Sequence, residues 1–230
     1  MTESQAPRTI AILGGTGALG TGLARRWTLA GYTVIIGSRT LEKAQAAVAD
    51  LQRVMAERGA ERIEVDALEN LDAAQAADIV VLTVPFAHHA STLSHVKEAV
   101  QGKILVDVTV PLMPPKVGTV QLPPEGSAGA AAQQLLGDAV RVVSAFQNVA
   151  AHHLQEGHGI ECDVLVSGND KEARAEVIRL VEACGMRGFH AGPIANAAAA
   201  EALTSVIINI NRAFKCHAGI SITGIEPRGD

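Results

Sequence analysis

Three glycines spaced Gly15-x-Gly17-x-x-Gly20 speak most directly of chemistry in this chain. The run Thr9-Ile10-Ala11-Ile12-Leu13 precedes them and reads as a short buried strand, and a helix-compatible run from Ala18 to Ala30 follows. Strand, glycine turn and helix in that order make a dinucleotide fingerprint. The first glycine permits the tight turn, the second lets the backbone approach a pyrophosphate, and the third lets the helix pack close on the strand. The helix start presents unpaired N–H groups and the positive end of a dipole, which suits a diphosphate.

The next strand, predicted at Thr33 to Gly37, decides which dinucleotide is bound. An NAD site usually places Asp or Glu at its end, to accept from the ribose 2′-hydroxyl. Here the strand runs into Gly37-Ser38-Arg39, with no acid. Arg39 offers a planar fork for a 2′-phosphate, Ser38 a hydroxyl donor, and Lys43 a point charge one helical turn on. The set favours NADP. A plainer reading, that Arg39 and Lys43 only solvate the start of the next helix, explains each alone but not the missing acid.

Further along, Ile79 to Val84 is a continuous apolar run, as in a buried parallel strand. It ends at Thr83-Val84-Pro85-Phe86. Ligands sit at strand C-termini in doubly wound sheets, so Val84 and Pro85 should border the path from adenosine to nicotinamide and cover the cofactor rather than react with it. The strand Arg141 to Val143 leads into Ser144-Ala145-Phe146-Gln147-Asn148. Gln147 and Asn148 there could orient a nicotinamide amide or a second ring, or else cap a turn. His88, His89 and His95 read as helix-start and surface residues, and no metal site is expected. His152, His153 and His158 fall in a polar loop where a general acid could stand. The stretch from Pro111 to Gly129 holds five prolines and three glycines. It reads as a long ordered loop, its apolar residues a wall for a flat ligand.

The elements that must position these residues follow from periodicity. Leu41 to Arg58 places apolar residues at helical spacing. Ile63 and Val65 predict a short strand, Leu68 to Ala76 a brief acidic helix, Lys103 to Val106 a strand, and Ala128 to Leu136 a helix. Beyond them come a strand from Glu161 to Ser167 and a helix from Lys171 to Cys184 capped by Asp170. A strand from Met186 to Ala191 and a long helix running to about Lys215 close the pattern. The expected fold is α/β: a Rossmann-type doubly wound, mostly parallel sheet with a short helical C-terminal appendage. Residues 1–150 would form the NADP-binding domain. Residues 151–230 would extend the sheet and supply a C-terminal helix bordering a second-substrate site.

Bulk properties agree. The 230 residues are 48% hydrophobic but only 3% aromatic, with 22 glycines, which suits a core of Ala, Val, Leu and Ile. A net charge of −5 with no basic block argues against a nucleic-acid partner. No apolar run approaches the ~20 residues of a membrane helix. Met1 to Arg8 is polar, with no signal-peptide pattern. Cys162, Cys184 and Cys216 are odd in number and far apart, as expected of reduced thiols in the cytoplasm. The small-residue start of the last helix suits close approach by a second subunit, so a homodimer is expected.

Taken together, the chain resembles the F420-dependent NADP oxidoreductases. The likeness is carried by Leu13 to Gly20, Gly37-Ser38-Arg39 with Lys43, Leu82-Thr83-Val84-Pro85 and Val142 to Phe146. It continues in Ser167 to Asp170, Ala191 to Asn196, Glu201-Ala202-Leu203-Thr204, Ile208 to Asn211 and Gly219 to Gly224. The resemblance implies direct hydride transfer between NADP(H) and coenzyme F420, a deazaflavin, with no catalytic protein nucleophile. It implies that Thr16, Ala18, Leu19, Ser38, Arg39 and Lys43 hold NADP, and that Val84, Pro85, Val149 and Ala150 line the nicotinamide. Gln147 and the region from Pro193 to Asn209 would border the deazaflavin. Where the family often carries histidine, this chain has Gln147, and Asn148-Val149-Ala150 lacks a proline frequently found there. The competing readings are an NADPH-dependent reductase of a small carbonyl or imine, and a non-catalytic NADP-sensing protein.

Overall fold

A computed structural model describes residues 8–60, 63–156 and 159–225. Among them, eight strands form one sheet: β1 (Thr9–Leu13), β2 (Thr33–Ser38), β3 (Val65–Glu69), β4 (Ile79–Leu82), β5 (Ile104–Asp107), β6 (Arg141–Ser144), β7 (Asp163–Gly168) and β8 (Arg187–His190). Their spatial order is β3-β2-β1-β4-β5-β6-β7-β8. Neighbours are parallel except at β6 and β7, which run antiparallel. The helices are α1 (Ala18–Leu29), α2 (Leu41–Glu57), α3 (Asn70–Ala76), α4 (His89–Val96), α5 (Ala128–Leu136), α6 (Ala151–Gln155), α7 (Lys171–Ala183) and α8 (Ala197–Phe214).

Side chains of a strand alternate between faces, and here both faces are covered. Ile10, Ile12, Val34, Ile36, Ile79 and Val81 join one apolar layer. Ala11, Leu13, Ile35, Val80 and Leu82 join the other. That is why β1, β2 and β4 read as unbroken apolar runs rather than alternating ones. The fully buried Trp27 of α1 ties two regions together. Its Nε1 donates to the Leu180 carbonyl at 2.9 Å. Its ring meets Phe146, just after β6, edge-on with centroids 6.0 Å apart.

Helix α6 packs so closely on α1 that a Cβ at Gly22 would fall 2.6 Å from Leu154 Cβ. Arg26 donates from Nη2 to the carbonyls of His153 at 3.0 Å and Glu156 at 2.7 Å. Arg58 reaches the Gln155 carbonyl at 2.7 Å, and Arg25 donates to the same oxygen. These guanidinium groups supply donors to carbonyls at the C-terminal end of a short helix, where few backbone N–H groups remain to serve them.

Several boundaries differ from the sequence expectation. The third strand begins at Val65 and runs to Glu69, so the acidic helix starts at Asn70 instead of Leu68. This strand lies at the sheet edge with Asp66 and Glu69 exposed, so its apolar pattern is thin; pairing with Val34–Ser38 of β2 defines it. The fifth strand includes Asp107, whose carboxylate is buried against a partner described below. His158 lies outside the described residues.

Candidate functional site

The strand order reverses between β1 and β4, because the chain leaves β1 toward β2 and β3 and returns to β4. A crevice opens beyond the C-terminal ends of strands at such a switch point. The glycine turn follows β1, and Val84-Pro85 follows β4. The two turns are in contact: a Cβ on Gly14 would fall 2.5 Å from Val84 Cγ1. Thr83 locks the pair, its N and its Oγ1 each donating to the Leu13 carbonyl at 2.9 Å.

The glycines divide their duties. Gly14 takes the left-handed conformation of the turn, at φ 67°. Its N–H donates to Asn70 Oδ1 at 3.1 Å, so the start of α3 holds the turn in place. Cβ atoms on Gly15 and Gly20 would strike backbone, at 2.6 Å from the Ile12 carbonyl oxygen and 2.6 Å from Gly15 Cα. Around Gly17 a Cβ would meet nothing within 4 Å. The middle glycine thus faces open space. As N-cap of α1 it makes no side-chain capping bond. The first N–H groups of α1, from Ala18 on, have no acceptor within the helix. An open helix start under a glycine with free space above it fits a pyrophosphate.

Ser38 is buried at the end of β2, and Arg39 and Lys43 are exposed beside it. Thr16 and Ala18 are exposed and Leu19 half-buried on the same side. Val84 is half-buried and Pro85 exposed, giving the crevice a rigid apolar lip.

The turn after β6 lies at the same edge of the sheet, with β5 between it and the Val84-Pro85 turn. Phe146 has φ 73° with a buried side chain, a costly conformation for a non-glycine residue that the Trp27 contact holds in place. Gln147 is buried, and its Nε2 donates to the Asp107 carbonyl and to Ser144 Oγ, both at 2.8 Å. Its Oε1 is also buried and makes no hydrogen bond among the described residues. The amide donor is therefore committed to the protein, and the amide oxygen is enclosed without a partner. Asn148 turns away, donating to the Ala200 carbonyl at 2.8 Å and to Thr204 Oγ1 at 3.1 Å on α8. Thr204 in turn donates to the Gln147 carbonyl at 2.9 Å. Val149 and Ala150 follow.

Asn209 serves the long loop. Its Nδ2 donates to the Gly118 carbonyl at 2.6 Å, and a side chain at position 118 would collide with it. The glycine turn, Ser38 to Lys43, Val84-Pro85 and Gln147 to Ala150 thus share one edge of the sheet, while Asn209 ties loop to α8.

Sequence reasoning missed the residues beneath this edge. His89 is not a surface histidine: it is 3% exposed, with Nε2 2.6 Å from Asp107 Oδ2. Burial pulls its pKa down, but the hydrogen bond and charge of Asp107, with the charge of Glu201, outweigh that and raise it. Glu201 is buried on α8 and accepts from the N–H groups of Ala128 at 2.6 Å and Gly129 at 3.1 Å, pinning α8 to the start of α5. The sequence shows Glu201 only as the single acid of an alanine-rich helix start and as part of the Glu201-Ala202-Leu203-Thr204 likeness, with no role attached. Asn70 and Asp107 gave none. His152 Nε2 and His153 Nδ1 lie 3.2 and 3.7 Å from the Glu156 carboxylate, and the His153 ring contacts the His217 carbonyl at 2.9 Å, so this pair of histidines meets the C-terminal tail.

Burial pushes the Glu201 carboxyl up to about 7, against the two N–H groups that favour its charged form. The folded chain therefore binds this proton more tightly than the unfolded chain does. That stabilising contribution is complete below the unfolded carboxylate range and is lost as pH rises through about 7; His89, also raised, adds a loss of the same sign. Thermal melts should show stability falling from about pH 5 to pH 8. Glu201→Gln should flatten part of that slope. It should also cost about 1–2 kcal/mol, since one amide oxygen cannot serve both N–H groups. An unchanged slope would contradict the assignment.

Fold and crevice together define a Rossmann-type dinucleotide-binding protein. A family model described as NADP oxidoreductase, coenzyme F420-dependent, matches residues 9–111. The F420-dependent NADP reductase of Methanocaldococcus jannaschii is 40% identical over 223 residues, covering 94% of this chain and 99% of that protein. The chain belongs to the F420-dependent NADP oxidoreductase family. A crystal structure from Arthrobacter sp. FB24, described as a candidate F420-dependent NADP reductase, superposes with a TM-score of 0.76 at 28% identity, over 93% of this chain and 99% of that one. A reductive aminase from Aspergillus terreus, solved with NADPH, shares only the fold: its TM-score is 0.61 at 20% identity, over 91% of this chain but 63% of the aminase.

Proposed function

We infer that the protein transfers a hydride between NADPH and coenzyme F420. The observation that carries this is full-length similarity to an F420-dependent NADP reductase, joined to a switch-point crevice that fits a dinucleotide. The hydride passes between nicotinamide C4 and deazaflavin C5, and the protein supplies no nucleophile. Its own work is to bind, orient and exclude water. The open start of α1 holds the pyrophosphate, with Thr16, Ala18 and Leu19 alongside. Ser38, Arg39 and Lys43 take the 2′-phosphate. Val84, Pro85, Val149 and Ala150 enclose the nicotinamide. Gln147, braced by its bonds to the Asp107 carbonyl and Ser144 Oγ, borders the deazaflavin. In this reading residues 1–150 hold NADP, and residues 151–230, with Asn209 on the loop latch, border the second ring.

A homodimer is part of the proposal. Val206, Ile210 and Phe214 recur every four residues on α8 and are exposed, Phe214 at 77%. An apolar stripe of that kind on one helix face suits a second copy. Cys162, Cys184 and Cys216 are all free thiols, which supports a cytoplasmic site of action. No described helix is long and apolar enough to cross a membrane.

The test is anaerobic mixing of purified protein with NADPH and oxidised F420, following loss of the deazaflavin's visible absorbance. Catalytic bleaching is expected. Tight NADPH binding with turnover of a cyclic imine instead of F420 would replace this reading with that of an imine reductase. NADPH binding without any turnover would leave an NADP sensor.

A further inference from the structure

The buried ion pair between His89 and Asp107 lies outside the binding roles above, yet it connects both walls of the crevice. Asp107 ends β5, midway between β4 and β6. Its carboxylate reaches His89 at the start of α4, four residues beyond Pro85. The other carboxylate oxygen accepts the Thr109 N–H at 2.9 Å, which fixes the side chain's direction. Its main-chain carbonyl accepts from Gln147 Nε2 at 2.8 Å and from Ala145 N at 3.2 Å, both in the turn after β6. The rings of His89 and Phe86 lie 5.9 Å apart at 31°, so the histidine is seated directly behind the Val84-Pro85 lip. One residue thus grips the β4 wall with its side chain and the β6 wall with its backbone.

Stability alone is a poor reason to keep such a pair. Desolvating two charges often costs as much as their attraction returns, and apolar replacements of both are frequently neutral. What the pair supplies is a fixed distance. Burial lowers the pKa of His89, but the groups facing it, Asp107 from β5 and Glu201 from α8, together raise it.

We propose that His89 and Asp107 are positioning residues that set the gap between the Val84-Pro85 turn and the Gln147–Ala150 turn, and so the placement of the nicotinamide ring against its hydride acceptor. This rests on the reading of the crevice as the nicotinamide slot. The 2′-phosphate and pyrophosphate positions lie beyond β1 and β2, away from the pair, so it governs orientation rather than affinity.

The experiment compares H89A and H89Q with the unaltered protein. Two quantities are read: the fluorescence anisotropy of bound NADPH, and the single-turnover rate of F420 reduction. H89A should leave the NADPH dissociation constant within about threefold, lower the anisotropy of the reduced nicotinamide, and slow hydride transfer about ten- to a hundredfold. H89Q keeps a hydrogen-bond donor toward Asp107 and should recover most of both. Should H89A fail to fold, D107N carries the same two readouts, because it loses the charge and its one amide oxygen cannot serve both His89 and the Thr109 N–H. Unaltered anisotropy and unaltered single-turnover rate in the folded variant would overturn the proposal. So would a loss confined to NADPH affinity. The anisotropy needs no F420, so failure of the unaltered protein to reduce F420 would sink the functional reading while this arm still decides the positioning role.

Discussion

Replacing Gly20 with alanine should weaken NADPH binding by about 3 kcal/mol or more, roughly a hundredfold. The added Cβ would lie 2.6 to 2.8 Å from the Cα, carbonyl oxygen and carbonyl carbon of Gly15. Those are backbone atoms, and Gly15 is held in place by its N–H, which donates to the Gly37 carbonyl at 3.0 Å. The turn must open, which turns the first N–H groups of α1 away from the pyrophosphate. Two charge-assisted hydrogen bonds lost account for the magnitude. Stability should fall as well, by about 1–3 kcal/mol for the overpacking. Gly17→Ala is the control. Its Cβ meets nothing within 4 Å, so the melting temperature should stay put while NADPH affinity still falls. Fluorescence titration with NADPH, beside thermal melts, separates the two. Equal destabilisation by both substitutions would contradict the division of roles among the glycines.

Arg39→Ala should weaken NADPH by about 1–3 kcal/mol and NADH much less, through loss of charge-assisted hydrogen bonds to the 2′-phosphate. Arg39 is exposed and follows the last residue of β2, so its removal should not disturb the core. The ratio of the NADPH and NADH dissociation constants is the quantity to measure. It should collapse by about one to two orders of magnitude. Equal losses for the two cofactors would refute the 2′-phosphate assignment.

Much of this was legible in the sequence for a simple reason. Parallel strands buried on both faces leave unbroken apolar runs, so β1, β2 and β4 announced themselves. A turn that must bring backbone to a phosphate leaves glycines at fixed offsets. The fold and the dinucleotide half of the crevice follow from those two signals. The edge strand β3 was misplaced because pairing with β2, not its own pattern, defines it. Local periodicity also could not show which buried polar groups meet across the sheet. His89 and Asp107 are 18 residues apart, and Glu201 is 73 residues from the N–H of Ala128. A histidine at a helix start reads as solvated until the strand beside it brings a carboxylate. Gln147 shows the same limit in finer form. Its position at a strand end was readable, but only the bonds to Asp107 and Ser144 show that its donor is consumed and its acceptor left over.

The central claim is direct transfer between two stacked rings without a protein intermediary. It is tested most directly by presenting NADPH deuterated at the transferred C4 position, together with oxidised F420, in ordinary water. Deuterium should appear at C5 of the reduced deazaflavin, with none released to solvent. Deuterium lost to water, or no deazaflavin reduction at all, would contradict it.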